Sequence, residues 1–149
     1  MDIHGRYTEV LIRWMERLEA GLPPIIFGDG QQTMDFVHVR DIARANILGA
    51  KSKASDHVFN IASGKETSLA QLAAALASVM GQGQLTPEFA PERSINPVPR
   101  RLASTTKAER LLGFRAGVPL EQGLRELVEW WRGERGHSAA LAQQEAVIS

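Results

Sequence analysis

A chain of 149 residues, 44% of them hydrophobic, has the length of one domain and can bury an ordinary core. Its 17 Lys and Arg balance 17 Asp and Glu, so the formal charge is zero, which excludes a general nucleic-acid binder with its basic excess. The absence of cysteine excludes disulfides and thiolate chemistry and leaves the redox compartment open.

The spacing predicts an amphipathic helix from about Gly5 to Ala20, with Tyr7, Val10, Leu11, Trp14, Met15 and Leu18 on one face. Gly21 is a plausible stop, and Pro23-Pro24 cannot continue the helix. Ile25 to Phe27 reads as a short strand. Gly28-Asp29-Gly30 reads as a turn, and Thr33 to Val39 as a second strand. The simplest account of this stretch is a hairpin. A helix follows from Asp41 to about Lys51, with Ile42, Ala45 and Leu48 inward. Val58 to Ala62 reads as another strand. Ser68 with Gln71 three residues on is a capping-box pattern opening a helix. Leu69, Leu72, Ala73, Leu76 and Met80 form its apolar face, and Gly81 ends it. A strand over Leu85 to Phe89 precedes an irregular stretch, Pro91 to Arg101. A short helix from about Thr105 stops at Gly113. Pro119 opens a last helix whose stripe, Leu120, Leu124, Leu127, Val128 and Trp131, ends at about Trp131. From Gly133 onward no pattern is evident, and residues 133–149 are expected to form a flexible tail. The layout is mixed α/β with few, short strands packed by helices.

Chemistry-bearing motifs are sparse. His4, His38, His57 and His137 are scattered and form no metal-type pair, so no metal site is expected. No G-x-S-x-G elbow is present, and Gly28-Asp29-Gly30 lacks the third glycine and the following helix of a dinucleotide fingerprint. Arg93, Arg100 and Arg101 on a proline-stiffened segment could clamp a phosphate with their planar forks. Spacing alone favours solvated charges there. Asn60, in an apolar strand, fits a local structural hydrogen bond at least as well as a ligand contact. No apolar run approaches the roughly 18 residues of a membrane span. The N-terminus lacks a signal peptide's basic-then-apolar order. A cytoplasmic soluble protein is expected.

Four ordered stretches, GLPPIIFGDGQQTMDFVHVRDIARA, VFNIASGKETSLAQLAAAL, ERSINPVPRRLASTTKAERLLGF and PLEQGLRELVEWW, resemble the C-terminal part of NAD-dependent epimerase/dehydratases. These are extended short-chain dehydrogenase/reductases acting on nucleotide sugars. The run Gly-Asp-Gly-x-x-Thr-x-Asp-Phe-Val-x-Val-x-Asp is the most specific part. The resemblance implies a small substrate-binding lobe over residues 1–132, without the N-terminal Rossmann half. It implies that Ile25 and Phe27 flank a nucleotide base, and that Asn60 and Arg93 face the diphosphate, with Arg100 a weaker candidate. Two departures bear on the substrate. Met34 stands where the family commonly has arginine, and the usual R-x-G-D becomes Arg93-Ser94-Ile95-Asn96.

The family binds NAD through a glycine-rich motif and reacts through a Tyr-x-x-x-Lys pair. Here the single tyrosine, Tyr7, is followed four residues on by Leu11. No catalytic residue and no cofactor-binding residue is therefore expected in this chain. It reads as a fragment, a truncated gene product or a free-standing lobe, with weak affinity for nucleoside-diphosphate sugars. The alternative is a non-enzymatic assembly module without nucleotide affinity. Loss of the cofactor domain would uncover apolar surface and favour a homo-oligomer. Ile12, Trp14 and Met15, and one of the adjacent Trp130 and Trp131, are the expected exposed residues.

Overall fold

A computed structural model of the chain describes residues 10–91 and 98–148, with the side chains of the last helix described as far as Gly136. In chain order the elements are α1 (Val10–Glu19), β1 (Ile25–Phe27), β2 (Thr33–Met34), α2 (Val39–Lys51), β3 (Thr67–Ser68), α3 (Leu69–Val79), β4 (Glu88–Ala90), β5 (Arg100–Arg101), α4 (Thr106–Leu112) and α5 (Leu120–Ile148). The fold is mixed α/β, with short strands packed by helices.

The expected hairpin is not formed. β1 pairs in parallel with β4, Ile25 opposite Glu88, while β2 pairs antiparallel with β3 and parallel with β5. The turn itself explains the divergence. The Asp29 carboxylate accepts from the Gln31 amide at 2.9 Å. The carbonyls of Gly30 and Gln32 then accept from the amides of Ala70 and Leu69, at the start of α3. The chain leaving the turn is thus tied to a helix instead of folding back on β1. Gly30 is required twice over: its φ is +71°, and an added Cβ would lie 3.2 Å from the Phe89 ring and 3.4 Å from Ala70.

Other boundaries shift for local reasons. The second strand is only Thr33–Met34, because His38 opens α2 early: its Nδ1 accepts from the Arg40 amide at 3.2 Å. Among the described residues, Val58 to Ala62 joins no strand pair. α5 continues through Ile148 rather than stopping near Trp131; the sequence beyond is rich in Ala, Glu, Gln and Arg, which favour helix without an apolar stripe.

Two apolar clusters hold the lobe. The larger joins α1, α3 and α5 through Ile12, Trp14, Met15, Leu72, Leu76, Leu124, Val128 and Trp131, with Ile26 of β1. The smaller lies between α2 and α4 around Ala45, Ala108, Leu112 and Phe114. Ile12, Trp14 and Met15 are therefore core, not the exposed patch expected of them. Trp14 also donates its indole N–H to the Ile25 carbonyl at 2.8 Å. Trp130 and Trp131 do point apart, 41% and 1% exposed.

The capping box is present as read. Ser68 accepts from the Gln71 amide at 3.1 Å, and the Gln71 side chain accepts from the Ser68 amide at 2.9 Å. Ser68→Ala should therefore lower stability by about 1 kcal/mol in urea titration, with Ser68→Thr recovering most of it. No difference between the two variants would show that the cap contributes nothing.

Candidate functional site

The residues expected at a nucleotide sit on separate elements. On β1, buried Ile26 faces the large cluster, and strand alternation places Ile25 and Phe27 on the opposite side, half-buried and exposed respectively. Phe89 of the adjacent β4 is also exposed. Asn60 is exposed on the unpaired stretch before Ser63. Arg93 lies outside the described residues. Arg100, on β5 beside Thr33, sends its fork to Glu66, with Nε 2.7 Å and an NH2 group 2.9 Å from the two carboxylate oxygens. Among the described residues, no hydrogen bond or ion pair joins any two of Ile25, Asn60 and Arg100.

The groups that shape this region include several not singled out in the sequence. The Arg100 hydrogen bond, aided by the Thr33 hydroxyl at 2.8 Å, holds the Glu66 carboxyl down to about 2. The same partnership raises the Arg100 guanidinium. Asp35 accepts from the Ser63 amide at 2.8 Å, the Ser63 hydroxyl at 2.5 Å and the Gly64 amide at 2.8 Å. It thereby anchors the end of the stretch that carries Asn60. The only sequence signal for Asp35 was its place in the Thr-x-Asp-Phe-Val run; Glu66 had none, because its partner is distant in the chain.

A concavity of 680 Å³ lies elsewhere, between the β2–α2 connection and α5, lined by Leu11, Phe36, Val39, Leu120, Leu127 and Trp130 among others. Its polar rim is Glu126, which pairs with Arg40 and lies 3.4 Å from His38 Nε2. The Gln122 hydrogen bond, followed by Arg40 and His38, keeps the Glu126 carboxyl below its ordinary value against the opposing effect of burial.

The Gly28–Gly30 turn does not suit a dinucleotide. It leads into a strand rather than a helix N-terminus, and Phe89 and Ala70 fill the space beside Gly30. Among the described residues, no cluster of three or more His, Asp or Glu is placed to hold a metal ion. No helix there is long and apolar enough to cross a membrane.

Residues 2–62 match the model of the NAD dependent epimerase/dehydratase family. The chain is 35% identical over 133 residues to UDP-glucose 4-epimerase of Mycolicibacterium smegmatis, spanning 89% of this chain and 42% of the relative. It is 27% identical over 132 residues to UDP-N-acetyl-alpha-D-glucosaminuronate decarboxylase of Bacillus cytotoxicus, spanning 86% and 41%. Among solved structures, UDP-glucose 4-epimerase of Thermotoga maritima with UDP-glucose superimposes with a TM-score of 0.79 at 34% identity, over 89% of this chain and 42% of that one. UDP-N-acetylglucosamine 4-epimerase of Methanobrevibacter ruminantium, in complex with UDP-N-acetylmuramic acid, gives 0.78 at 29%, again over 89% and 42%. The chain thus spans about two-fifths of the length of the curated relatives it matches. Identity carried across most of this chain, on a fold that superimposes over the same extent, makes it a member of the NAD dependent epimerase/dehydratase family.

Proposed function

We propose that the chain is a nucleotide-sugar-binding lobe of this family and performs no turnover by itself. The parent reaction is NAD-dependent oxidation of a sugar hydroxyl followed by epimerisation or elimination. The observation that carries the reading is the outward face of β1, where Ile25 and the exposed Phe27 ring offer an apolar platform for a base. The relatives support it, since two solved neighbours hold UDP-sugars. Arg93, Arg100 and Asn60 are the diphosphate contacts. Binding is weak, because Met34 supplies no charge and Arg100 must leave Glu66 to reach a phosphate. One observation favours the second reading, an assembly module without nucleotide affinity: the Arg100 fork is already satisfied within the lobe.

Calorimetric titration with UDP, UDP-glucose and dTDP-sugars separates the two. The expected result is UDP binding near 1 mM, on the order of 4 kcal/mol, and no saturable NAD binding at micromolar concentration. Arg93→Ala should weaken UDP binding about tenfold or more, the loss of one charge-assisted hydrogen bond. Glu66→Gln should strengthen it by releasing Arg100. Absence of UDP binding in both the native chain and Glu66→Gln establishes the second reading. Micromolar NAD affinity would refute catalytic silence.

A further inference from the structure

We infer that His38 is a proton-operated latch at the start of α2: the neutral ring caps the helix, and a second ring proton releases the cap while the ring stays on Glu126 of α5. The neutral geometry is specific. Nδ1 accepts from the Arg40 amide at 3.2 Å, so the single proton of the neutral ring resides on Nε2. Nε2 lies 3.4 Å from a Glu126 carboxylate oxygen. The ring therefore spans two helices with two different nitrogens. The contact through Nδ1 holds only while that nitrogen carries no proton, whereas the contact through Nε2 needs one.

The second proton can enter only at Nδ1. An Nδ1–H then faces the Arg40 N–H, donor against donor, and the cap is lost. The amides of Asp41 and Ile42 already donate to the His38 carbonyl, so the amide that loses its acceptor is that of Arg40. The positive N-terminus of α2 also disfavours a cation at this place. Glu126 gains from the same proton, because a charged N–H bonds a carboxylate more strongly than a neutral one. Few other groups compete. The charged residues that line the groove beside His38 are Arg40 and Glu126, which pair with each other. Gln122 donates to Glu126 from the same helix. Asp41, the nearest acid of α2, is held by Gly117, Val118 and Arg44. Gly123 of α5 leaves the space the ring occupies, since a Cβ there would lie 3.1 Å from His38 Cδ2. His38 itself lines the groove with Phe36 and Leu127. The latch thus makes the seating of α2 against α5, and with it the groove wall, sensitive to acid.

Nuclear magnetic resonance on the intact chain tests this, with titration from about pH 8 to about pH 5, the span in which histidines ordinarily change charge. At the upper end the ring nitrogens of His38 should report a proton on Nε2 and none on Nδ1. The Arg40 amide proton should move along the same curve as the His38 ring. Its protection from exchange, with the intrinsic rate divided out, should fall about fivefold, the equilibrium worth of one N-cap bond. His38→Asn keeps a capping oxygen that takes up no proton in this span, so its Arg40 amide should stay in place. His57→Asn should behave as the native chain does. An Arg40 amide that ignores the His38 curve overturns the inference. So does a neutral ring protonated on Nδ1, or equal movement of the amide in His38→Asn. The first two results are read on the native chain and decide the matter even if His38→Asn fails to fold. None of these outcomes depends on nucleotide binding.

Discussion

Trp131→Ala is expected to lower the stability of the lobe by about 3–5 kcal/mol, while Trp130→Ala, one residue away, should cost about 1 kcal/mol or less. The difference follows from burial. Trp131 is 1% exposed at the junction of α1, α3 and α5, whereas Trp130 sits on the rim of the groove at 41%. The ring of Trp131 fills space that Leu76, Val128 and their neighbours cannot close, so alanine leaves a cavity as well as losing transfer free energy. The guanidinium of Arg135, 4.8 Å above the ring centroid, adds a cation–π contact that is lost with it. Urea titration should show the midpoint falling for Trp131→Ala with little change in slope. Equal effects at the two positions would mean that the packing of α5 is wrong by about a quarter turn.

Asp41→Ala comes next, with an expected loss of about 3 kcal/mol. Asp41 is only 2% exposed. Its two oxygens accept from the amides of Gly117 and Val118 at 3.0 Å, and Arg44 adds a bond at 2.9 Å. The carboxylate also lies in the first turn of α2, where the helix dipole favours a negative charge. It therefore ties α2 to the connection that leads into α5. The estimate sits at the low end for breaking a buried pair because Arg44 keeps access to water. Burial by itself would raise the Asp41 carboxyl. The hydrogen bonds from Arg44, Val118 and Gly117, with the Arg44 charge, outweigh it and hold the group below its ordinary 3.8. In the unfolded chain Asp41 takes up its proton near 3.8, before the folded chain does. The stabilisation is thus complete above that pH and lost as pH falls further, through the lower folded value. Acid titrations of the native chain and Asp41→Asn should converge below pH 3.8. A gap that persists to the lowest pH would place the effect in shape rather than charge.

Features set by neighbours in the chain were legible in the sequence. The α3 cap at Ser68 and Gln71, the α3 face from Leu69 to Met80, the stop at Gly113 and the split of Trp130 from Trp131 all depend on short-range spacing. Features set by distant partners were not. Nothing near Gly28–Gly30 says that β1 will pair with β4, so the turn reads as a hairpin. Nothing near Arg100 says that Glu66 will occupy its fork. The burial of Trp14 depends on α3 and α5 arriving against α1. At the candidate site, the pairing of Ile25 with Phe27 on one face follows from strand alternation and was readable. The anchoring of Asn60 through Asp35 and Ser63 was not. Asp35 and Asp41 are both fixed positions of the family-like run, and both serve here as acceptors for backbone amides across the fold.

The register of the sheets also governs how the chain reaches its structure. Both parallel pairs, β1 with β4 and β2 with β5, join strands from opposite halves of the sequence. The polypeptide between them must be gathered before either ladder can repay the entropy of closing so long a loop. The helix α3 lies inside that loop, and its start is tied to the carbonyls of Gly30 and Gln32. Its formation shortens the effective separation, so α3 is expected to form early in folding. A chain in which helix outweighs strand is consequently expected to fold at the slower pace of a parallel-stranded topology.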